Sequence, residues 1–137
     1  MKKVIVAGSR TFHQYETVRD TLSSMFTEPV TIVSGGAAGP DTMGAQWAAE
    51  VGYPVEKHPA DWMNLEVPGC KIRYNAHGSY NANAGMDRNK RMLESVQRNP
   101  DGGMLVAFWN GHSKGTKNMI EIARAAGVDV HIMTVPY

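Results

Sequence analysis

The sequence predicts an α/β protein, a three-layer sandwich on a mostly parallel sheet. Two observations predict it. Short apolar runs closed by glycine alternate along the chain with segments whose apolar residues recur at helical spacing. The runs are also continuous in the apolar sense, as strands are when helices cover both faces of their sheet.

The elements follow in order. Val4-Ile5-Val6-Ala7, closed by Gly8-Ser9-Arg10, reads as a buried strand. Tyr15, Val18, Leu22, Met25 and Phe26 then mark one face of a helix, which Pro29 stops. Val30-Thr31-Ile32-Val33 is a second strand, closed by Ser34-Gly35-Gly36. Met43, Trp47, Ala48 and Val51 mark a second helix, with Asp41 near its start and Gly52 as its stop. Pro54 to His58 is short and charged, as an edge strand is. A long polar stretch without a clear period, at about residues 59–85, reads as a functional loop; it includes Gly69, Gly78 and several asparagines. Met86, Asn89, Leu93 and Val96 suggest a third helix, and residues 103–108 a fourth strand. Met119, Ile122, Ala123 and Ala126 mark a last helix capped by Gly127, and residues 128–133 a final strand.

The 137 residues fit a single domain, with hydrophobic residues at 42% and charged residues at 20%. Fourteen basic against thirteen acidic residues leave a net charge of +1, which argues against a nucleic-acid partner. The single Cys70 excludes an internal disulfide framework and reads as structural or incidental. The apolar run before Gly8 is too short for a signal peptide, and a membrane span needs about 20 residues. A cytoplasmic protein with no membrane partner is expected. The five histidines, His13, His58, His77, His112 and His131, show no ligand spacing, so no metal and no cofactor is expected.

In an open parallel sheet, ligands bind beyond the carboxyl ends of the strands. Three such ends carry glycine-rich turns: Gly8-Ser9-Arg10, the segment from Gly35 and Gly36 to Asp41, and Gly111-His112-Ser113-Lys114-Gly115-Thr116. The last two each open a helix, whose free N–H groups and positive dipole end favour an anion. A phosphate is the natural candidate, with Arg10, Ser113, Lys114 and Thr116 beside it. The pattern G-x-x-x-x-G-K-[ST] is absent, because Thr116 follows Gly115, and Gly8 does not open G-x-G-x-x-G. A standard NTPase or dehydrogenase is therefore disfavoured.

The order AGSR, SGGAAGPD, PADW, RN and FWNGHSKGT resembles the SLOG superfamily, in its YspA-like, cpYpsA-related branch. The likeness runs from Val4 to about Val130. It implies a Rossmann-like fold that binds nucleotides or nucleotide-derived signals. It also implies distant kinship with the LOG phosphoribohydrolases, which cleave an N-glycosidic bond, and with the DNA-binding protein DprA. Setting Gly115-Thr116 on the G-T of the LOG motif puts Met119 where those enzymes carry a catalytic glutamate. Glu121 lies about 200° round the helix from Met119 and is expected to point away from the core. Arg88, in Asp87-Arg88-Asn89, is set loosely against the LOG arginine.

Other residues have two readings each. Asp41 either caps its helix or accepts hydrogen bonds from ribose hydroxyls. Trp62 and Trp109 either stack on a base or cover the sheet edge, while Trp47 reads as core. The basic stretch with Lys71, Arg73, Arg88, Lys90 and Arg91, interleaved with Tyr74 and Tyr80, reads as a lid, a subunit contact, a nucleic-acid patch or a solvated insertion. The expected function is binding of an ADP-ribose-like molecule or a nucleoside monophosphate, as a sensor or sequestering protein. Its ligand-binding set is Gly8, Ser9, Arg10, Gly35, Gly36, Asp41, Arg88, Asn89, Gly111, Ser113, Lys114, Gly115 and Thr116. The alternatives are an N-glycosidic hydrolase with Asp41, Arg88 and Glu121 as catalytic candidates, and single-stranded DNA binding. Ala123, Ala125 and Ala126 on the last helix, with the habit of the family, suggest a homo-oligomer, a dimer or tetramer.

Overall fold

Strand β1 (Lys3–Gly8) forms the centre of a five-stranded parallel sheet. The computed structural model describes residues 1–66, 71–75 and 78–136. Gly69, Cys70 and His77 lie outside the described residues, as do the side chains of Asn75 and Tyr80. After β1 come α1 (Tyr15–Met25), β2 (Thr31–Ser34), α2 (Pro40–Val51) and β3 (Val55–Lys57). Then follow β4 (Ile72–Asn75), β5 (Gly78–Asn81), α3 (Ala84–Arg98), β6 (Gly103–Trp109), α4 (Lys114–Ala125) and β7 (Asp129–Thr134).

The strand order is β3-β2-β1-β6-β7, with every neighbouring pair parallel. Alternation along β1 divides the core. Val4 and Val6 join Val18, Leu22, Trp47 and Ala48 beneath α1 and α2. Ile5 and Ala7 join Met92, Leu93, Met119 and Ala123 beneath α3 and α4. Two helices on each face of a parallel sheet make the Rossmann-like three-layer sandwich. The order reverses at β1, whose neighbours are β2 on one side and β6 on the other. The carboxyl ends of β1 and β6 therefore open at the switch point.

Several expectations need correction. The stretch read as a loop contains an antiparallel hairpin, β4 with β5, paired Ile72 to Asn81 through Asn75 to Gly78. Helix α1 ends at Met25, well before Pro29, because Phe26 is already extended. Val51 and Met86 are exposed although both fall on apolar stripes. Edge strand β3, predicted as weak, is held by side chains. Lys3 Nζ donates to Glu56 Oε1 at 2.8 Å and to Ser95 Oγ at 2.8 Å. Ser95 and His58 bond to Glu56 Oε2 at 2.5 and 2.6 Å.

Candidate functional site

A cleft of about 1110 Å³ lies over the carboxyl ends of β1 and β2 and the first turn of α4. Pockets that hold small ligands typically run to about 300–1,000 Å³. Of the predicted set, Gly8, Arg10, Gly35, Gly36, Asp41, Arg88, Asn89, Ser113, Lys114, Gly115 and Thr116 line it. Ser9 and Gly111 do not. Ser9 is fully buried, its hydroxyl accepting from the Asn110 N–H at 3.1 Å, so it ties the β1 turn to the β6 turn. Gly111 is a turn residue with a φ of 86°.

The two helix starts differ. At α2 the N-cap is Gly39, which offers no side chain, and Pro40 supplies no N–H. Asp41 is thus not the cap. Its carboxylate, only 4% exposed, accepts from the N–H groups of Ala37, Gly35 and Asp41 itself. The chain has filled this helix end with its own anion. Burial pushes Asp41 up to about 6, although the Arg88 guanidinium and those N–H groups pull the other way. Gly35 makes room for the pair. A methyl group there would stand 2.8 Å from Asp41 Oδ2 and would collide with the Arg88 guanidinium.

At α4 the end is open. Ser113 is the N-cap and accepts from the Thr116 N–H at 3.4 Å. The first backbone bond back to the cap runs from the Lys117 N–H to the Ser113 carbonyl. The N–H groups of Lys114 and Gly115 thus belong to the orphan donors of a helix start. Among the described residues, and apart from its chain neighbours and its own helix's backbone, no atom comes within 4 Å of where a Cβ on Gly115 would sit. Lys114, Lys117, His112 and Arg10 stand around the same cleft. This end can hold an anion by backbone N–H, dipole and side-chain charge together.

Helix α3 braces both ends. Arg88 Nη1 donates to the Gly35 carbonyl at 2.7 Å, and its Nε to Asn89 Oδ1 at 3.0 Å. Burial lowers the Arg88 pKa, Asp41 opposes this, and Arg91 and Arg10 add repulsion. Asn89 Nδ2 donates to the Gly115 carbonyl at 3.2 Å and to Asn118 Oδ1 at 3.0 Å. With both amide hydrogens and the oxygen engaged, Asn89 is a bolt between α3 and α4.

Glu121 points away from the core, as the helical wheel predicts, and it also lines the cleft. The wheel separates it from the core, but the cleft begins where the core ends and wraps the exposed flank of α4. Lys117 Nζ lies 3.8 Å from Glu121 Oε1. Met119, at the position of the LOG glutamate, is 1% exposed and packs in the core. Trp109 does not line the cleft; its indole N–H donates to the Ser113 carbonyl at 3.1 Å and steadies the cap. Trp62 does line it, together with Pro59, Ala60, Ala82, Gly85 and Met86. Of these, sequence reasoning weighed only Trp62. Gly85 stands in the first turn of α3 without a positive φ, so its backbone does not require glycine.

Among the described residues no three His, Cys, Asp or Glu side chains gather to hold a metal ion, and no helix is long and apolar enough to cross a membrane. None of the curated proteins matches the chain. Residues 2–64 match the family model described as the YspA, cpYpsA-related SLOG family. That segment carries β1 to β3 and the first two glycine turns of the cleft. Over residues 2–64 the chain therefore belongs to the SLOG superfamily, in its YspA, cpYpsA-related branch.

Proposed function

We propose that this chain binds a nucleotide-derived small molecule in the cleft, an ADP-ribose-like molecule or a nucleoside monophosphate, and acts as a sensor or sequestering protein. The start of α4 carries the reading. Its Lys114 and Gly115 N–H groups have no partner within the helix, while at α2 Pro40 has no N–H and the Asp41 N–H serves the Asp41 carboxylate together with those of Gly35 and Ala37. A phosphate belongs where the dipole is unanswered, at Ser113 to Thr116 with Lys114 and Arg10 beside it. Ribose hydroxyls then fall toward Asp41 and Arg88. Membership of a superfamily whose domains bind nucleotide-derived ligands supports the same class. The reading includes a cytoplasmic setting and self-association as a dimer or tetramer; of the small-residue run, Ala123 is buried in the core, and Ala125 at the end of α4 and Ala126 just after it are exposed.

One observation favours a second reading, hydrolysis of an N-glycosidic bond. Asp41 is a buried carboxyl in a cleft, with its pKa moved up to about 6, toward neutral pH. Glu121 supplies another carboxylate on the same cleft. Such chemistry needs a carboxylate near an oxocarbenium-like transition state and an activated water.

Mass spectrometry separates the two. The protein is incubated with nucleoside monophosphates and NAD derivatives, then denatured. Intact ligand in stoichiometric amount is the expected result. Free base that disappears with Asp41→Asn or Glu121→Gln would instead establish the hydrolase.

A further inference from the structure

The cleft lining is polar at Arg10, Asp41, Arg88 and the start of α4 and apolar around Trp62, and α3 contributes to both. Trp62, 38% exposed, forms the apolar end with Pro59, Ala60, Ala82 and Met86. Its carbonyl accepts from the Asn81 N–H at 2.6 Å, which fastens the segment to the base of the β4–β5 hairpin. The six-membered edge of its indole lies on Gly85. A Cβ at that position would stand 3.1 Å from Trp62 Cη2 and 3.6 Å from Cζ2. Gly85 has no backbone reason to be glycine, since its φ is not positive, and glycine costs roughly 1 kcal/mol in a helix relative to alanine. The close approach of the indole supplies a reason.

The same glycine lies near Arg88, whose Nη2 is 3.8 Å from that Cβ position. One turn further along α3, Asn89 holds the Gly115 carbonyl. Four residues of helix advance about 6 Å. The aromatic wall and the start of α4 are therefore both anchored to α3, at positions one helical turn apart.

Resting on the phosphate reading above, we propose that Trp62 and Gly85 form a nucleobase subsite, with Gly85 setting how deep the indole sits. The occupant is a planar aromatic base joined through one ribose to a phosphate at α4. The indole face stacks on the base, and the Gly85 backbone keeps the ring out of the space that the base fills.

Calorimetric titration with AMP and with ribose 5-phosphate tests this, because the second probe lacks only the base. Trp62→Ala and Gly85→Ala should each weaken AMP binding about tenfold or more and leave ribose 5-phosphate unchanged. Trp62→Phe should keep most of the affinity, and melting curves check that each variant is folded. Equal affinity of the natural protein for both probes, or equal losses for both in Trp62→Ala, would overturn the subsite and leave the phosphate reading standing. Binding of neither probe by the natural protein would overturn both.

Discussion

A single carboxyl decides how the cleft divides its work. Asp41 lies at the start of α2, where a ligand anion would otherwise be welcome, and it uses those donors itself. Its burial has a measurable cost. The folded-state pKa of about 6 is above the ordinary 3.8, so the folded protein prefers Asp41 protonated. The stability owed to this group is therefore greatest below pH 3.8 and falls as pH rises toward 6. The full loss is about 3 kcal/mol at most. Asp41→Asn has no such titration. Urea unfolding at about pH 4.5 and about pH 7 should show a flatter profile for the variant than for the natural protein. Parallel profiles would mean that Asp41 ionises freely in the fold.

At the scale of elements, short strands and helix starts are held by side chains rather than by length. Strand β3 has only three residues and a single neighbour, yet Glu56 joins it to β1 through Lys3 and to α3 through Ser95, with His58 just after the strand bonded to the same carboxylate. Burial alone would raise Glu56; the hydrogen bonds from those three residues outweigh it and bring it down to about 2. The stability from this group is fully present above pH 4.5 and disappears as pH falls through 2. Glu56→Gln should cost about 2 kcal/mol at neutral pH, a figure discounted for partial exposure. The difference from the natural protein should close in strong acid; a gap independent of pH would show that charge plays no part. The depressed pKa also makes Glu56 a weak base, so the adjacent Ser95 reads as a strut rather than a nucleophile.

The β4–β5 hairpin illustrates what the sequence hides at this scale. Ile72, Arg73 and Tyr74 are all exposed. A strand with no buried face leaves no period-two pattern to read. By contrast β1 and β2, buried on both faces, announced themselves as continuous apolar runs.

Across the whole molecule, the legible part of the site was the part written in glycine. The three turns at strand ends were visible because a strand-to-helix corner under a ligand uses few residue types. What stayed hidden depends on tertiary approach. That Asn89, which lines the cleft, also bolts α3 to α4 is hidden because its partners, Gly115 and Asn118, lie on another helix. Ser9 appeared at the rim and is buried beneath it, since the β1 turn must be tied to that of β6. For Glu121 the angle from Met119 predicts a position away from the core, which it has, but not that the cleft reaches it. The position of Gly85 against Trp62 could not be read at all, since the two are joined by no local spacing rule.

The sheet, its switch point and the brace of α3 together set the start of α4, with Gly115 in its first turn, at the cleft. A methyl group on Gly115 meets no other part of the described residues. Gly115→Ala should therefore fold as well as the natural chain, gaining about 0.5–1 kcal/mol from lower chain entropy. The same methyl group would stand where the phosphate is proposed to rest. Titration of AMP into both proteins, with their melting temperatures recorded alongside, should give an equal or higher midpoint for the variant. Its affinity should be lower by about tenfold or more. Undiminished AMP binding in a well-folded Gly115→Ala protein would place the phosphate elsewhere and contradict the assignment.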